Sequence, residues 1–407
     1  MYIPRYIPRH IESTIEQLLK QYKVVLVTGP RQVGKTTLLK HALTGTHHYV
    51  TLDDAQALSL ALDDPALFFL NYTPPVIVDE VQYAQSLFRQ IKYLVDQDDR
   101  RGMVVLTGSQ AYHLMQNISE SLAGRIAILE MSGLSLREIA GSHNYTPFIP
   151  GPALVGSTSG IKNTRELWER IHRGSMPELQ NEKIDWDAYY RNYVRSYIER
   201  DVRSLIALKD ENCFYKFLVS LAARTGQLFN AADIANDIGV TLKTIQNWSS
   251  ILEASGTVRF VRPYYDNVNK QLTKTPKPYF MDSGLVCHLL GWKTADVLEK
   301  GAMAGPILET FVVSEIIKSF LNAGKDVREL FFYRDVQKRE VDLLIRQEGM
   351  MHPVEIKKSA TPKKEMVSNF SALRSLNIDV GMGALVCLVN ESSYLTQDVI
   401  TVPIDVL

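Results

Sequence analysis

The run Gly29-Pro30-Arg31-Gln32-Val33-Gly34-Lys35-Thr36 closes the apolar stretch Val24 to Val27 and fits the phosphate-binding pattern G-x-x-x-x-G-K-[ST] without mismatch. Glycines at 29 and 34 let the backbone turn tightly, so that its N–H groups can point inward at a polyphosphate. Lys35 carries a mobile positive charge toward the β and γ phosphates. Thr36 offers a hydroxyl to magnesium, and the helix that opens there presents its positive dipole end. An amphipathic run (Thr37, Leu38, Leu39, Ala42, Leu43) provides that helix. The stretch from Gly29 to Thr37 is therefore the predicted cradle of a nucleoside triphosphate.

Downstream, Pro74-Pro75-Val76-Ile77-Val78 runs into Asp79-Glu80, the pattern of a buried strand closing in two acids. Strands often end in an acid, and it is the phosphate loop upstream that makes this pair specific. Asp79 can hold magnesium through water, while Glu80 can act as the base that polarises the attacking water. A further buried strand, Met103 to Leu106, ends in Thr107-Gly108-Ser109-Gln110. There Thr107, Ser109 or Gln110 could touch the γ-phosphate as a sensor, or serve as ordinary strand-end turn residues. Arg125, directly before the strand Ile126 to Leu129, is a candidate arginine finger in cis or from a neighbouring subunit, and equally a surface arginine. Asp53 and Asp54, after the short strand His48 to Leu52, read as a turn or helix cap.

A second chemistry lies in the last hundred residues. Glu309 sits in a helix that opens at Gly305-Pro306 and runs to about Leu321. Glu340-Val341-Asp342 opens one strand, and Pro353-Val354-Glu355-Ile356-Lys357 forms the next. An acid on one strand and E-x-K on its neighbour resembles the restriction-nuclease-like PD-(D/E)xK fold. Alternation puts Glu355 and Lys357 on one strand face. Asp342 and Glu355 could share a divalent metal, Glu309 could join them from the helix, and Lys357 could position a water. The competing reading is an internal ion-pair cluster in a nuclease-like fold that cuts nothing. The charge balance of residues 301–407, 12 Lys plus Arg against 14 Asp plus Glu, leans toward it.

These groups must be positioned by several elements. Ile11, Ile15, Leu18 and Leu19 repeat at helical spacing ahead of the first strand. Residues 145–163 are rich in Pro, Gly, Ser and Thr and read as an exposed loop or insertion. Leu167 to Ile171 and Trp186 to Leu205 read as helices, the second with Tyr190, Val194, Tyr197 and Ile198 on one packing face and with Arg191, Arg195 and Arg203 elsewhere. Residues 211–265 show winged-helix order: Phe214 to Ala223, Ala231 to Gly239, then a recognition-type helix Thr241 to Ala254, with Val258 to Arg262 as the wing. Leu242, Ile245, Trp248 and Leu252 form the buried stripe of that third helix, leaving Lys243, Gln246 and Asn247 outward, where base edges would be read. One lysine is meagre for a phosphate-driven interface.

The 407 residues exceed what one core usually fills. The division expected is 1–140 for the nucleotide core, 141–210 for linker and lid, 211–265 for the winged helix, 266–300 for a connector and 301–407 for the nuclease-like unit. Lys plus Arg and Asp plus Glu both number 45, so no global field favours nucleic acid or an anionic membrane. Cys213, Cys287 and Cys387 lie far apart and suit neither a zinc site nor a disulfide framework. No run has signal-peptide or membrane-spanning length, so the expectation is a cytoplasmic protein with no membrane partner.

The phosphate loop, Val78-Asp79-Glu80, Leu106-Thr107-Gly108-Ser109 and Ser121-Leu122-Ala123-Gly124-Arg125 together resemble a prokaryotic family of AAA-type ATPases with a C-terminal domain of unknown function. The resemblance extends through Tyr197-Ile198-Glu199-Arg200-Asp201-Val202 and Tyr279-Phe280-Met281-Asp282-Ser283-Gly284-Leu285. It implies an α/β fold with an AAA-like parallel-sheet core, a helical lid, a winged helix and a nuclease-like α/β domain. It also implies ATP, rather than GTP, as the nucleotide, with Mg2+; no guanine-reading N-K-x-D motif is present. Three outputs compete: an ATP-governed nuclease acting on DNA, a nucleotide switch that binds a protein partner, and a DNA-binding regulator. A homo-oligomer is compatible with each.

Overall fold

The structure is a computed structural model that describes residues 6–108, 122–197, 211–265 and 274–407. The first half is built on helix α1 (Ile11–Gln21), strand β1 (Val24–Thr28), α2 (Lys35–Ala42), β2 (His48–Thr51), α3 (Ala55–Asp63), α4 (Pro65–Asn71), β3 (Val76–Asp79), α5 (Leu87–Gln97), β4 (Val104–Gly108), β5 (Ile126–Glu130) and the short α6 (Leu136–Ile139). All five strands are parallel, in the order β2-β3-β4-β1-β5. Their near-continuous apolar runs are what a sheet covered on both faces requires. Alternation divides them. Val24, Leu26, Val76, Val78, Val104 and Leu106 pack with α3, α4 and α5, whereas Val25, Val27, Ile77, Val105 and Leu129 face the rest of the molecule. Asp54 caps α3 by accepting from Ala57 N, as expected of a cap.

The second half comprises α7 (Thr164–Arg173), α8 (Trp186–Tyr197), α9 (Glu211–Ala222), α10 (Ala231–Ile238), α11 (Leu242–Ala254), β6 (Val258–Pro263), β7 (Lys277–Phe280), α12 (Ser283–Leu289), α13 (Ala295–Lys300), α14 (Ala304–Asn322), β8 (Leu330–Arg334), β9 (Glu340–Gln347), β10 (Met350–Ile356), β11 (Asp379–Val380), β12 (Gly383–Cys387), β13 (Ser393–Thr396) and β14 (Val399–Pro403). The three helices α9 to α11 fall where the sequence places them, with Gly239 ending α10 and Thr241 capping α11. Ile245, Trp248 and Leu252 are buried, but Leu242 is exposed: it occupies the first helical position, outside the buried stripe. Lys243, Gln246 and Asn247 point to solvent.

Two expectations are corrected. The strand foreseen as a wing, β6, pairs antiparallel with β7 and also parallel with β8, so one sheet runs β13-β14-β12-β10-β9-β8-β6-β7, with β11 beside β10. The shared sheet therefore spans the boundaries expected at 265 and 301, and the supposed connector 266–300 contributes its edge strand β7. The stretch 145–163 is also not wholly exposed. Phe148 is buried, and its N–H donates to Ser319 Oγ of α14 at 2.9 Å. A single apolar cluster continues from Ile11 to Leu407 across both halves. Among the described residues, no helix is long and apolar enough to cross a membrane.

Candidate functional site

β1 delivers the chain into the phosphate loop, and α2 begins at Lys35. Gly29 has φ of +138°, and a Cβ there would lie 2.0 Å from the Met131 carbonyl oxygen, so only glycine fits. Gln32 also takes a left-handed conformation, with φ of 61°. Val33 is buried and Arg31 half-buried, while Gln32 and Thr37 are exposed. Pro30 is buried, and its carbonyl, with that of Gly29, accepts from Lys35 Nζ at 2.8 and 2.9 Å.

β3 brings Asp79 against this loop. Asp79 Oδ2 accepts from Thr36 Oγ1 at 2.9 Å and from Tyr49 OH at 2.8 Å. Its Oδ1 is buried without a hydrogen-bond partner among the described residues, as are the hydroxyls of Thr28 and Thr107 at the ends of β1 and β4. Leaving a buried polar group unpaired costs about 1–3 kcal/mol. Three such oxygens at the carboxyl ends of adjacent strands fit a site finished by a cation and phosphate oxygens, with Thr36 and Asp79 as the residues able to hold magnesium. Burial, reinforced by the bond to Asp79, pushes the Tyr49 hydroxyl well above its ordinary range, so it stays a donor. Glu80 follows in a left-handed conformation with φ of 58°, and its carboxylate accepts from the Gln82 amide. Ser109 and Gln110, proposed as sensors, lie outside the described residues.

Arg125 does not join this cluster. β5 runs parallel to β1 with Val24 opposite Ile126, and Val24 N donates to the Arg125 carbonyl at 3.2 Å. The arginine therefore stands at the amino-terminal rim of the sheet, one strand length (roughly 16 Å) from the loop. Its guanidinium pairs there with Asp96 at 2.5 Å, away from the phosphate loop of the same chain.

Several neighbours of the loop escaped sequence reasoning. Arg9 is buried; it donates to Val33 O at 2.8 Å and to Glu138 Oε1 at 3.0 Å. Burial alone would raise the Glu138 carboxyl, but Arg9 and the N–H groups of Ser135 and His10 outweigh it and hold it below its usual range. The only local clue was the Ser135-x-x-Glu138 capping box. From the second half, Gly256 packs so closely that a Cβ there would lie 3.0 Å from Pro30 Cδ, and Arg259 of β6 pairs with Glu130 at the end of β5. Neither contact has a sequence signature, because each joins residues more than a hundred positions apart.

The C-terminal acids do converge, with two additions. Asp342 on β9 and Glu355 on β10 are buried; Asp342 Oδ2 accepts from Ile356 N at 2.9 Å. Lys357 Nζ lies 2.5 Å from Glu355 Oε1 and 3.8 Å from Asp342 Oδ2. Glu355 Oε2 is buried without a partner among the described residues. Glu309 is drawn aside: its Oε1 accepts from Tyr279 OH at 2.7 Å and faces Lys277 Nζ at 3.4 Å. Lys277 also pairs with Glu340 at 2.5 Å. Among the described residues no group of three His, Cys, Asp or Glu side chains is gathered to hold a metal: Glu309 is turned toward Tyr279 and Lys277, whereas Asp342 and Glu355 lie together beside Lys357. Burial pushes Glu309 up to about 7 and Glu355 up to about 8, and raises Asp342. Burial would lower both lysines, but the surrounding carboxylates hold Lys277 and Lys357 above their usual range.

A family model described as an AAA domain matches residues 21–140, and two described as domains of unknown function, DUF8612 and DUF4143, match 164–296 and 304–407. The uncharacterized protein Rv2008c of Mycobacterium tuberculosis is 30% identical over 393 residues, covering 95% of this chain and 81% of its own. Mb2031c of Mycobacterium bovis gives the same figures. An uncharacterized protein of Haemophilus influenzae is 24% identical over 271 residues, 63% of this chain and 61% of its own. Among solved structures, the Walker-type ATPase PABY2304 of Pyrococcus abyssi is 16% identical, covering 69% of this chain and 94% of its own at a TM-score of 0.39. RuvB of Thermotoga maritima is also 16% identical, covering 65% and 94% at a TM-score of 0.29. The chain belongs to the same family as the mycobacterial proteins Rv2008c and Mb2031c, and its residues 21–140 are an AAA-type P-loop ATPase domain.

Proposed function

We propose that the protein binds and hydrolyses ATP with Mg2+ and couples that cycle to the acid–lysine cluster of its second half. The observation that carries the first part is Asp79: one oxygen held by Thr36 and Tyr49, the other buried and unpartnered beside the phosphate loop. Lys35 and the loop N–H groups bind and orient the phosphates. Thr36 and Asp79 would hold the magnesium, which when bound would supply neutralising charge to the phosphates. Glu80, oriented by Gln82, takes the proton of the attacking water. An arginine completing the site from Arg125 requires a second copy of the chain, which is the form a homo-oligomer would take.

Coupling is supported by the β6–β7 hairpin. Arg259 reaches Glu130 beside the phosphate loop, and its cross-strand neighbour Tyr279 reaches Glu309. We read α9 to α11 with this hairpin as a winged helix, and residues 301–407 as a nuclease-like unit with Asp342, Glu355 and Lys357 as its site and DNA as its substrate. The second reading, a switch that binds a protein partner and cuts nothing, is favoured by the outward face of α11, where Lys243 is accompanied only by the uncharged Gln246 and Asn247.

ATP turnover and nucleotide binding test the first part. Lys35→Ala should lose nucleotide, and Glu80→Gln should keep it while turnover stalls; unchanged turnover in Glu80→Gln refutes the assigned base. Cleavage of plasmid and single-stranded DNA with Mg2+ or Mn2+, with and without ATP, tests the second. Activity abolished by Asp342→Ala supports the nuclease reading, and no cleavage under any condition leaves the switch.

A further inference from the structure

The acid–lysine cluster contains a cation that its E-x-K pattern does not ask for. Lys277 comes from β7, the returning strand of the hairpin, where it pairs with Val261. It is 2% exposed, its amine lies 2.5 Å from Glu340 Oε1 and 3.4 Å from Glu309 Oε1, and the Phe332 ring centroid is 5.3 Å away. A lysine this deep does not reach a nucleic-acid backbone from the surface. Buried ammonium groups are rare and persist only where carboxylates compensate them.

The partners of the surrounding acids divide the cluster in two. Glu340 has one oxygen on Lys277 and the other on Arg334 Nη1 at 3.0 Å. Glu309 Oε1 is shared by Lys277 and Tyr279. On the other side, Lys357 is the cation in direct contact with Asp342 and Glu355. Asp342 also accepts from Ile356 N and feels Lys277 at longer range, and Glu355 Oε2 is buried without a partner among the described residues. By direct contact, two cations (Lys277 and Arg334) serve the Glu309–Glu340 side and one (Lys357) serves the Asp342–Glu355 side, so it is the second side, with its unpartnered oxygen, that has room for an added cation.

We propose that Lys277 is the built-in second cation of this site, neutralising Glu309 and Glu340, so that the site takes a single divalent ion of the Mg2+ or Mn2+ type on Asp342 and Glu355. The inference rests on the reading of these acids as a metal site. Phosphodiester substrates would then meet one exchangeable ion, with Lys277 behind it as a positioning residue that substrate does not touch.

The test is the number of Mn2+ ions bound by the nucleotide-free full chain, read by electron paramagnetic resonance in a Thr36→Ala background that silences the phosphate loop. The expected count is one ion, lost in Asp342→Asn. Lys277→Met should bind two, and Lys277→Arg, which keeps the charge, should bind one. Two ions without the Lys277 change, both lost in Asp342→Asn, would overturn the proposal, as would a folded Lys277→Met that still binds one. Binding of no ion at all sinks the metal-site reading beneath it, which keeps the two failures distinct. Near-UV circular dichroism reports folding; if Lys277→Met fails to fold, the counts with Lys277 intact and with Lys277→Arg still decide.

Discussion

Tyr49 and Arg9 show how single side chains prepare the nucleotide site without lying in its motif. Tyr49 holds the same Asp79 oxygen that Thr36 holds. Outer partners of a metal-binding carboxylate fix its orientation, and their loss typically weakens metal affinity about tenfold or more. Tyr49→Phe should therefore raise the Mg2+ needed for half-maximal turnover by roughly tenfold, with nucleotide affinity in the absence of metal unchanged. Arg9 and Glu138 form a buried pair whose side chains are 3% and 0% exposed. Removing one partner strands the other charge, so Glu138→Gln should lower unfolding free energy by about 3–5 kcal/mol at neutral pH. The folded carboxyl is held below its unfolded value of about 4.5. Its contribution is then present above that value and lost as pH falls through the folded pKa. Denaturant titrations of both proteins at pH 7 and in acid should converge; a gap that persists in acid contradicts this assignment.

At the scale of elements, most of the nucleotide core was legible. Val24 to Val27, Val76 to Val78 and Val104 to Leu106 announce buried parallel strands, because such strands are apolar on both faces. The helices around Gly239 and Thr241 were equally legible, since a glycine stop and a threonine cap are local devices. The double role of β6 was not. Its pairing with β8 joins Arg262 to Phe331, a contact set by tertiary packing that no local pattern encodes. The partners of Glu309 were hidden for a related reason: Tyr279 and Lys277 arrive from a strand outside the motif. The hairpin carries its own prediction. If it transmits the state of the phosphate loop, ATP should change amide hydrogen exchange in residues 277–280, and Arg259→Ala should abolish that change while ATP still binds. An identical response in the variant removes the hairpin from the pathway.

For the molecule as a whole, the second half is built onto the first through buried polar contacts as well as apolar ones. Glu315 and Lys318 of α14 are almost fully enclosed; Glu315 accepts from Leu136 N at 2.7 Å, and Lys318 donates to Leu134 O at 3.1 Å. Residues 304–407 expressed alone would expose these two charges and the apolar face of α14 around them. Such a fragment should show poor amide dispersion in NMR spectra and bind hydrophobic dyes, whereas a well-dispersed spectrum would show that it folds by itself.

The continuous core also constrains how such a gene can be inherited. Exchange of the last third with a distant relative would bring in a helix that must meet Leu134, Leu136 and Phe148 of a host it never evolved beside. It would equally bring strands that must extend β6. Recombinants of that kind start with stranded charges and a broken sheet, so lineages should keep the three segments together.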